Sequence, residues 1–240
     1  HLIGPVKNVH VAISKIEQKN GQRVESPPMP WLSTTYDRKG YRIEEVQIYS
    51  NPALDFTSVF TRDVNGSLTE GIETDTEGTT VFKWTYRHDP ATGVIEENRL
   101  GPDRSFFSKT TYRYDASGHL VEENRFQPHT QNHFRWDYTY DKMGLQTEEL
   151  HYLIHSGMNP DHPLKSLNSR KVFLYDKKGV LTKETDYDDS GNIVSNKHFE
   201  YTYDNRGNWI AQTVLEPLTS PEGQPLVRTE IIHRKITYHE

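Results

Sequence analysis

A chain of 240 residues with a formal net charge of −6 lacks the concentrated basic surface that a nucleic-acid partner requires. It has no cysteine, which excludes disulfides, thiolate nucleophiles and cysteine-ligated metal centres. Hydrophobic residues are only 33% of the chain, yet 14 Tyr, 9 Phe and 4 Trp supply large buriable rings, so the composition suits a thin, strongly curved sheet better than a thick two-layer core.

From the N-terminus, Val6 to Gln18 alternates as a strand does, and Asn20-Gly21 is a two-residue hairpin turn. Ser26-Pro27-Pro28-Met29-Pro30 interrupts pairing before a strand that begins at Trp31. A motif then recurs: Tyr36-Asp37-Arg38-Lys39-Gly40, Tyr114-Asp115-Ala116-Ser117-Gly118 and Tyr140-Asp141-Lys142-Met143-Gly144. Three more copies are Tyr175-Asp176-Lys177-Lys178-Gly179, Tyr187-Asp188-Asp189-Ser190-Gly191 and Tyr203-Asp204-Asn205-Arg206-Gly207. Asp63 to Gly66 and Tyr86 to Gly93, the latter expanded by two residues, are degenerate copies. With Gly191 set aside, the glycines fall at 40, 66, 93, 118, 144, 179 and 207, a spacing of 25–28 residues broken by one of 35. Two strands of about nine to eleven residues and two turns fill such a period, so each unit is a hairpin. Asp accepts from backbone N–H groups beyond it and Gly supplies the positive φ that closes the turn.

Aromatic residues alternate with polar ones before the turns, as in Phe82-Trp84-Tyr86, Phe134-Trp136-Tyr138-Tyr140 and Phe199-Tyr201-Tyr203. Two residues past the glycines stand Leu68, Ile95, Leu120, Leu181 and Trp209. Leu215 to Pro225 reads as a loop before a closing strand over Val227 to Tyr238. The expected fold is all-β: repeated antiparallel hairpins in one curved, twisted meander, an open sheet or small barrel-like shell, forming a single domain over 1–240 without helices.

Glu44, Glu70, Glu97, Glu122 and Glu148 each stand four residues past a repeat glycine. The row reads as a solvated stripe paired with Arg99, Arg113, Arg125 and Arg135, since like charges facing each other on neighbouring strands destabilise a sheet. The doublets Glu96-Glu97, Glu122-Glu123 and Glu148-Glu149 point to opposite faces, so none is itself a catalytic dyad. His151 with His155, and His129 with His133, are four apart, which on a strand is about 13 Å and too far to share a metal ion. The long interval holds an insert around His155-Ser156-Gly157-Met158-Asn159-Pro160-Asp161-His162-Pro163, and loops on rigid scaffolds often carry binding residues. Candidate ligand-binding residues are therefore Trp84, Trp136, Tyr138, His155, Asp161 and His162. No catalytic residue, metal site or cofactor is assigned. The P-loop, zinc-protease, dinucleotide and serine-hydrolase motifs are absent, and Asn65-Gly66-Ser67, although a glycosylation pattern, occupies a repeat turn.

The stretch Gly191-Asn192-Ile193 through Phe199-Glu200-Tyr201-Thr202-Tyr203-Asp204-Asn205-Arg206-Gly207-Asn208-Trp209 resembles the YD-repeat family, also called RHS repeats. The resemblance runs from about Tyr36 to Trp209. It implies hairpins coiled side by side on bacterial secreted or surface proteins, which in large members form a hollow shell around a toxin. This chain departs from the pattern in its longer period and in lacking the core segment that ends such shells. The expectation is a non-enzymatic scaffold, secreted, periplasmic or on the surface of a bacterium, that binds a protein or a glycan. Removal of a secretion signal is one explanation of a start at His1. A glycan-active hydrolase with carboxylates from different repeats, or a fragment of a larger shell, are the alternatives. No apolar run approaches the ~20 residues that a membrane-spanning helix needs.

Overall fold

One carboxylate builds each repeat turn. In the computed structural model, which describes residues 2–19, 22–155, 164–219 and 225–240, Asp141 Oδ1 accepts from the N–H groups of Met143 and Leu145 at 2.8 and 3.0 Å. The Gly144 N–H then donates to the Asp141 carbonyl, and the Asp141 N–H to the Leu145 carbonyl. The same pair of side-chain bonds recurs at Asp37, Asp115, Asp176, Asp188 and Asp204. Every repeat glycine has a positive φ, from +67° to +87°. Asp75 and Gly78 make an identical turn without a preceding Tyr, which the motif search passes over.

These turns join antiparallel strands, and two compact units result: His1–Gly66 with Gly71–Val81 and Lys197–Glu240, and Ser67–Glu70 with Phe82–Asn196. The first unit carries β1 (Val6–Lys19), β2 (Gln22–Glu25), β3 (Met29–Tyr36), β4 (Arg42–Gln47), β5 (Phe56–Arg62), β16 (Trp209–Thr219) and β17 (Pro225–Tyr238). A single 3₁₀ turn, Pro52–Leu54, precedes β5. The second unit carries β8 (Val94–Leu100), β9 (Phe106–Tyr114), β10 (Leu120–Gln127), β11 (Asn132–Tyr140), β12 (Gln146–His155), β13 (Leu164–Tyr175) and β14 (Leu181–Asp188). The remaining strands, β6 (Leu68–Thr74), β7 (Thr80–Asp89) and β15 (Ile193–Tyr203), contribute residues to both.

Within the second unit, β7 to β13 pair in sequence with β8, β9, β10, β11, β12, β13 and β14. Within the first, the order is β15, β16, β17, β1, β3, β4, β5, with β2 folded back on the far end of β1. First and last strands are thus partners, with Ile13 opposite Ile232 and Val9 opposite Ile236. The all-β antiparallel hairpin meander expected from the sequence is the fold observed.

Two boundaries differ from expectation, both at prolines. β3 begins at Met29 rather than Trp31, because Pro30 pairs with Ala12 beside a bulge on the side away from β4. Leu215 to Thr219 is strand, not loop: Pro217 faces Val227 on β17, beyond Leu215, the last residue of β16 paired with β15. A proline is tolerated where its missing N–H would face no neighbour.

Successive repeats are pinned together. Tyr140 Oη donates to the Leu120 carbonyl and Tyr175 Oη to the Gln146 carbonyl, both at 2.8 Å. Each carbonyl belongs to the residue two past the preceding repeat glycine. In the degenerate copy His88 takes the tyrosine's place, its Nε2–H reaching the Leu68 carbonyl at 2.8 Å. At three repeats the residue directly after a glycine lies under the next repeat's glycine: Tyr41 under Gly66, His119 under Gly144 and Leu145 under Gly179. The final turn holds the N-terminal segment. Asn208, only 2% exposed, accepts from the Ile3 N–H and donates to the Ile3 carbonyl and to Tyr238 Oη, which in turn donates to Asp204.

A Cβ at Gly144 would lie 2.8 Å from His119 Nε2, and His119 is held by Asp115 and stacked on Tyr140. At Gly118 (φ +83°) a Cβ would meet open space. Backbone strain alone is about 1–2 kcal/mol, roughly 2–8 °C in Tm for a chain of this size. Gly118→Ala should lower Tm by that amount and Gly144→Ala by more. Equal losses in thermal melts would show that the His119 contact contributes nothing.

Candidate functional site

Alternation along β8, β10 and β12 splits each glutamate doublet between the two faces of the second unit. Glu96, Glu122 and Glu148 lie on one face in a ladder of ion pairs. Lys109 meets Glu96 at 2.6 Å, Arg113 and Arg135 meet Glu122 at 2.8 and 2.9 Å, and Arg170 meets Glu148 at 2.5 Å. Arg135 also bridges Asp137, which Lys165 meets at 2.8 Å. Paired glutamates were expected, but the row is not continuous. β7 and β8 pair without the one-residue shift that follows the other repeat turns, which reverses the parity of β8, so Glu97 faces Thr110 and shares a face with Glu123 rather than Glu122. Arg99 and Arg125 lie on that second face too and are not partners of the Glu122 row.

The second face gathers the aromatic residues. Trp84 stands opposite Arg99, Trp136 between Glu123 and His151, and Tyr138 opposite Glu149. All three rings are partly buried. The Arg99 guanidinium packs over Phe82, Trp84 and Phe107 at 3.6, 5.1 and 5.5 Å from their ring centres. Phe107 is in contact with Phe82 and with His129. One repeat on, Arg125 lies over Trp136 at 5.3 Å and bonds Glu123 at 2.9 Å. Trp136 and His151 stack with centroids 4.6 Å apart and parallel planes. The bulge residue Asn168 donates its amide to His151 Nδ1, which places the imidazole proton on Nε2. The two non-glycine residues with positive φ among the described residues, Arg104 and Gln131, sit in the turns that flank Phe107 and His129.

Carboxylates and phenols alternate across this face. Tyr112 donates to Glu97 and Tyr138 to Glu123, each at 3.4 Å, and Tyr138 also faces Glu149. Burial, with the carboxylates beside them, holds both phenols protonated far above their ordinary range. Burial also pushes Glu97 and Glu149 up from the usual carboxylate value, against the opposing pull of Tyr86, Tyr112 and the arginines at Glu97 and of Lys171 at Glu149. It pushes the His151 imidazole down.

Of the six residues singled out in the sequence, Trp84, Trp136 and Tyr138 share this face, with Trp136 and Tyr138 neighbours on β11 and Trp84 four strands away on β7. His155 ends β12, while Asp161 and His162 lie outside the described residues. Arg99, Arg125, Glu97, Glu123 and His151 were not singled out as site residues. The signal that could have found four of them is the repeated tetrapeptide Glu96-Glu97-Asn98-Arg99 and Glu122-Glu123-Asn124-Arg125. In the first unit Ser14, His233 and Glu25 lie within hydrogen-bond reach, but both contacts, at 3.1 and 2.9 Å, fall on His233 Nε2. A catalytic triad needs one partner on each imidazole nitrogen. No group of three or more metal-ligating side chains occurs among the described residues, and no described helix is long and apolar enough to cross a membrane.

No protein-family profile matches the chain, and no curated protein matches it. Among solved structures, a porin-like protein from Bacteroides uniformis matches 98% of this chain and 99% of its own, with a TM-score of 0.59 and 9% identity. At that identity the likeness speaks for the fold alone, a porin-like β-barrel. The TcdB2-TccC3 complex matches 83% of this chain over 14% of its own at 14% identity, with a TM-score of 0.21, too low to carry an argument.

Because its pKa is raised, Glu97 holds its proton more tightly when folded than when unfolded, so its ionisation costs stability above the unfolded value of about 4.3. Below that value both states are protonated and the cost vanishes. Glu97→Gln should therefore raise Tm at pH 7.5, with the gain fading toward pH 4. A variant less stable at pH 7.5 than at pH 4, relative to wild type, would mean that Arg99 and Arg125 outweigh the burial.

Proposed function

We propose that the chain is a non-enzymatic β-hairpin repeat scaffold, exported or displayed on the surface of a bacterium, that binds a glycan on the aromatic face of its second unit. The observation that carries this reading is the repeated setting of Trp84 and Trp136, each on an arginine-bearing strand neighbour, with Glu97 and Glu123 alongside. Sugar rings stack on aromatic faces while their hydroxyls bond carboxylates and guanidinium groups, and this face offers both kinds of contact. A protein partner is less well served, because the cores of protein interfaces are depleted of charge. Neither face of β8–β12 offers the apolar band of a lipid-facing barrel, where a basic residue at mid-membrane costs about 2–4 kcal/mol: Arg135 and Glu122 stand on one side, Arg125 and Glu123 on the other. The porin-like description of the bacterial neighbour supports the cell surface as the setting.

Screening the purified chain on a glycan array, followed by thermal melts with the hits, tests the proposal. A bound glycan should raise Tm, and Trp136→Ala should weaken its binding about tenfold or more, the worth of one aromatic stack. Release of reducing ends from the bound glycan would instead assign hydrolysis, with Glu97 as proton donor. Absence of any glycan hit would remove the reading. In a Triton X-114 partition the chain should stay in the aqueous phase, and recovery in the detergent phase would argue for a lipid-facing barrel.

A further inference from the structure

The first unit carries a recess where its repeat departs from the pattern. Elsewhere the tyrosine ahead of the turn aspartate reaches back to the preceding repeat, as Tyr140 and Tyr175 do. In the copy at Asp63 that position is Arg62, which reaches its own turn instead. Its Nη1 donates to the Gly66 carbonyl at 2.9 Å, and its guanidinium lies 4.7 Å from the centre of the Tyr41 ring. Between the Asp37 and Asp63 turns lies a recess of about 150 Å³, lined by Asp37, Lys39, Tyr41, Arg62, Asp63 and Asn65 among others. A cavity of that volume takes a molecule of about six non-hydrogen atoms. Groups of both signs here have bonding capacity to spare. The exposed Lys39 ammonium has no hydrogen bond or ion pair among the described residues; only its backbone N–H is engaged, by Asp37. Arg62 spends one donor on Gly66, and its buried Nε has no partner. Asp37 gives Oδ1 to the N–H groups of Lys39 and Tyr41, which leaves Oδ2.

We infer that this recess binds a small zwitterionic α-amino acid, its carboxylate on Lys39 and Arg62 and its ammonium on Asp37 Oδ2. The lining carries two cations, Lys39 and Arg62, and two carboxylates, Asp37 and Asp63. A simple anion meets repulsion from the aspartates and a simple cation from the basic pair, so only a ligand with both charges is favoured throughout. Hydrogen bonds between ionised groups are the strong ones, and a guanidinium with donors to spare gains most from a carboxylate. The Tyr41 ring offers an apolar surface to a short side chain. The site belongs to the first unit and does not depend on the glycan reading.

The test follows backbone amide shifts of the isotope-labelled chain at pH 7 during titration with three probes: L-alanine, propionate, which lacks its ammonium, and ethylamine, which lacks its carboxylate. Alanine should shift the amides of Lys39, Tyr41, Asn65 and Gly66 saturably, and each of the other two should bind about tenfold more weakly or worse. Lys39→Gln, at a side chain the fold does not use, should weaken alanine about tenfold while leaving Tm unchanged. Asp37→Asn keeps an oxygen for the two turn amides and should bring alanine down to the affinity of propionate. No saturable shift with alanine would overturn the inference. So would propionate binding as tightly as alanine, which would mark a plain anion site, or alanine binding that survives Lys39→Gln unchanged.

Discussion

The structure depends on a carboxylate that accepts two backbone N–H groups. A hairpin turn must satisfy or solvate the amides it takes out of the ladder, and here one Asp Oδ1 serves two of them in each Tyr-Asp-x-x-Gly turn. Because the same side chain fixes the turn every time, the register of the following strand is fixed too, with a shift of one residue just beyond the tyrosine in β3, β9, β11, β13 and β15. That constancy decides which residues share a face, and so where the glutamates, arginines and tryptophans go. Accepting these bonds also holds Asp115 and Asp176 below the usual carboxylate range, and at Asp188 and Asp204 the Asn192 amide and the Tyr238 hydroxyl lower it most, with the backbone bonds adding to them.

With turns of such uniform construction, the molecule has little need of a thick apolar core. The buried hydrophobic residues among those described are Val6, Val9 and Ile154, while buried Ser, Thr and Asn are more numerous. Stability is distributed over ladder hydrogen bonds, cross-strand ion pairs and stacked rings, each modest by itself. The tyrosine hydroxyls reaching the preceding repeat convert a row of hairpins into a connected array, and His88 shows that any donor of suitable reach serves there.

The hairpin repeat was readable in the sequence because it rests on local chemistry: Tyr, Asp and Gly at fixed offsets dictate a turn wherever they occur. The turn at Asp75 was hidden because its strand supplies no Tyr, although the carboxylate and the glycine do the same work. Face assignment was harder. The turn at Gly93 lacks the register shift of its siblings, which reverses the parity of every residue on β8, so Glu97 left the expected row and joined Glu123. The aromatic alternation in β7 and β11 led to Trp84, Trp136 and Tyr138, but the arginines that stack on them were read as partners of the other face. Only the inter-strand register shows otherwise. Proline-based boundaries failed for a related reason, since Pro217 is tolerated by the lack of a neighbour that no sequence reveals.

The pairing of β1 with β17 has a kinetic meaning. Val6 faces Tyr238 and Lys15 faces Glu230, contacts that join residues more than two hundred positions apart. Contacts of such separation form late, because the loop-closure entropy of the whole chain must be met first. β1 pairs soon after synthesis with β2 and β3, but its other edge, along Val6 to Lys15, stays open until β17 is made. The last turn carries the device that ends this wait. Asn208 grips Ile3 just ahead of β1, and Tyr238 at the end of β17 is held by the same side chain. One asparagine thus joins segments more than two hundred positions apart in the sequence.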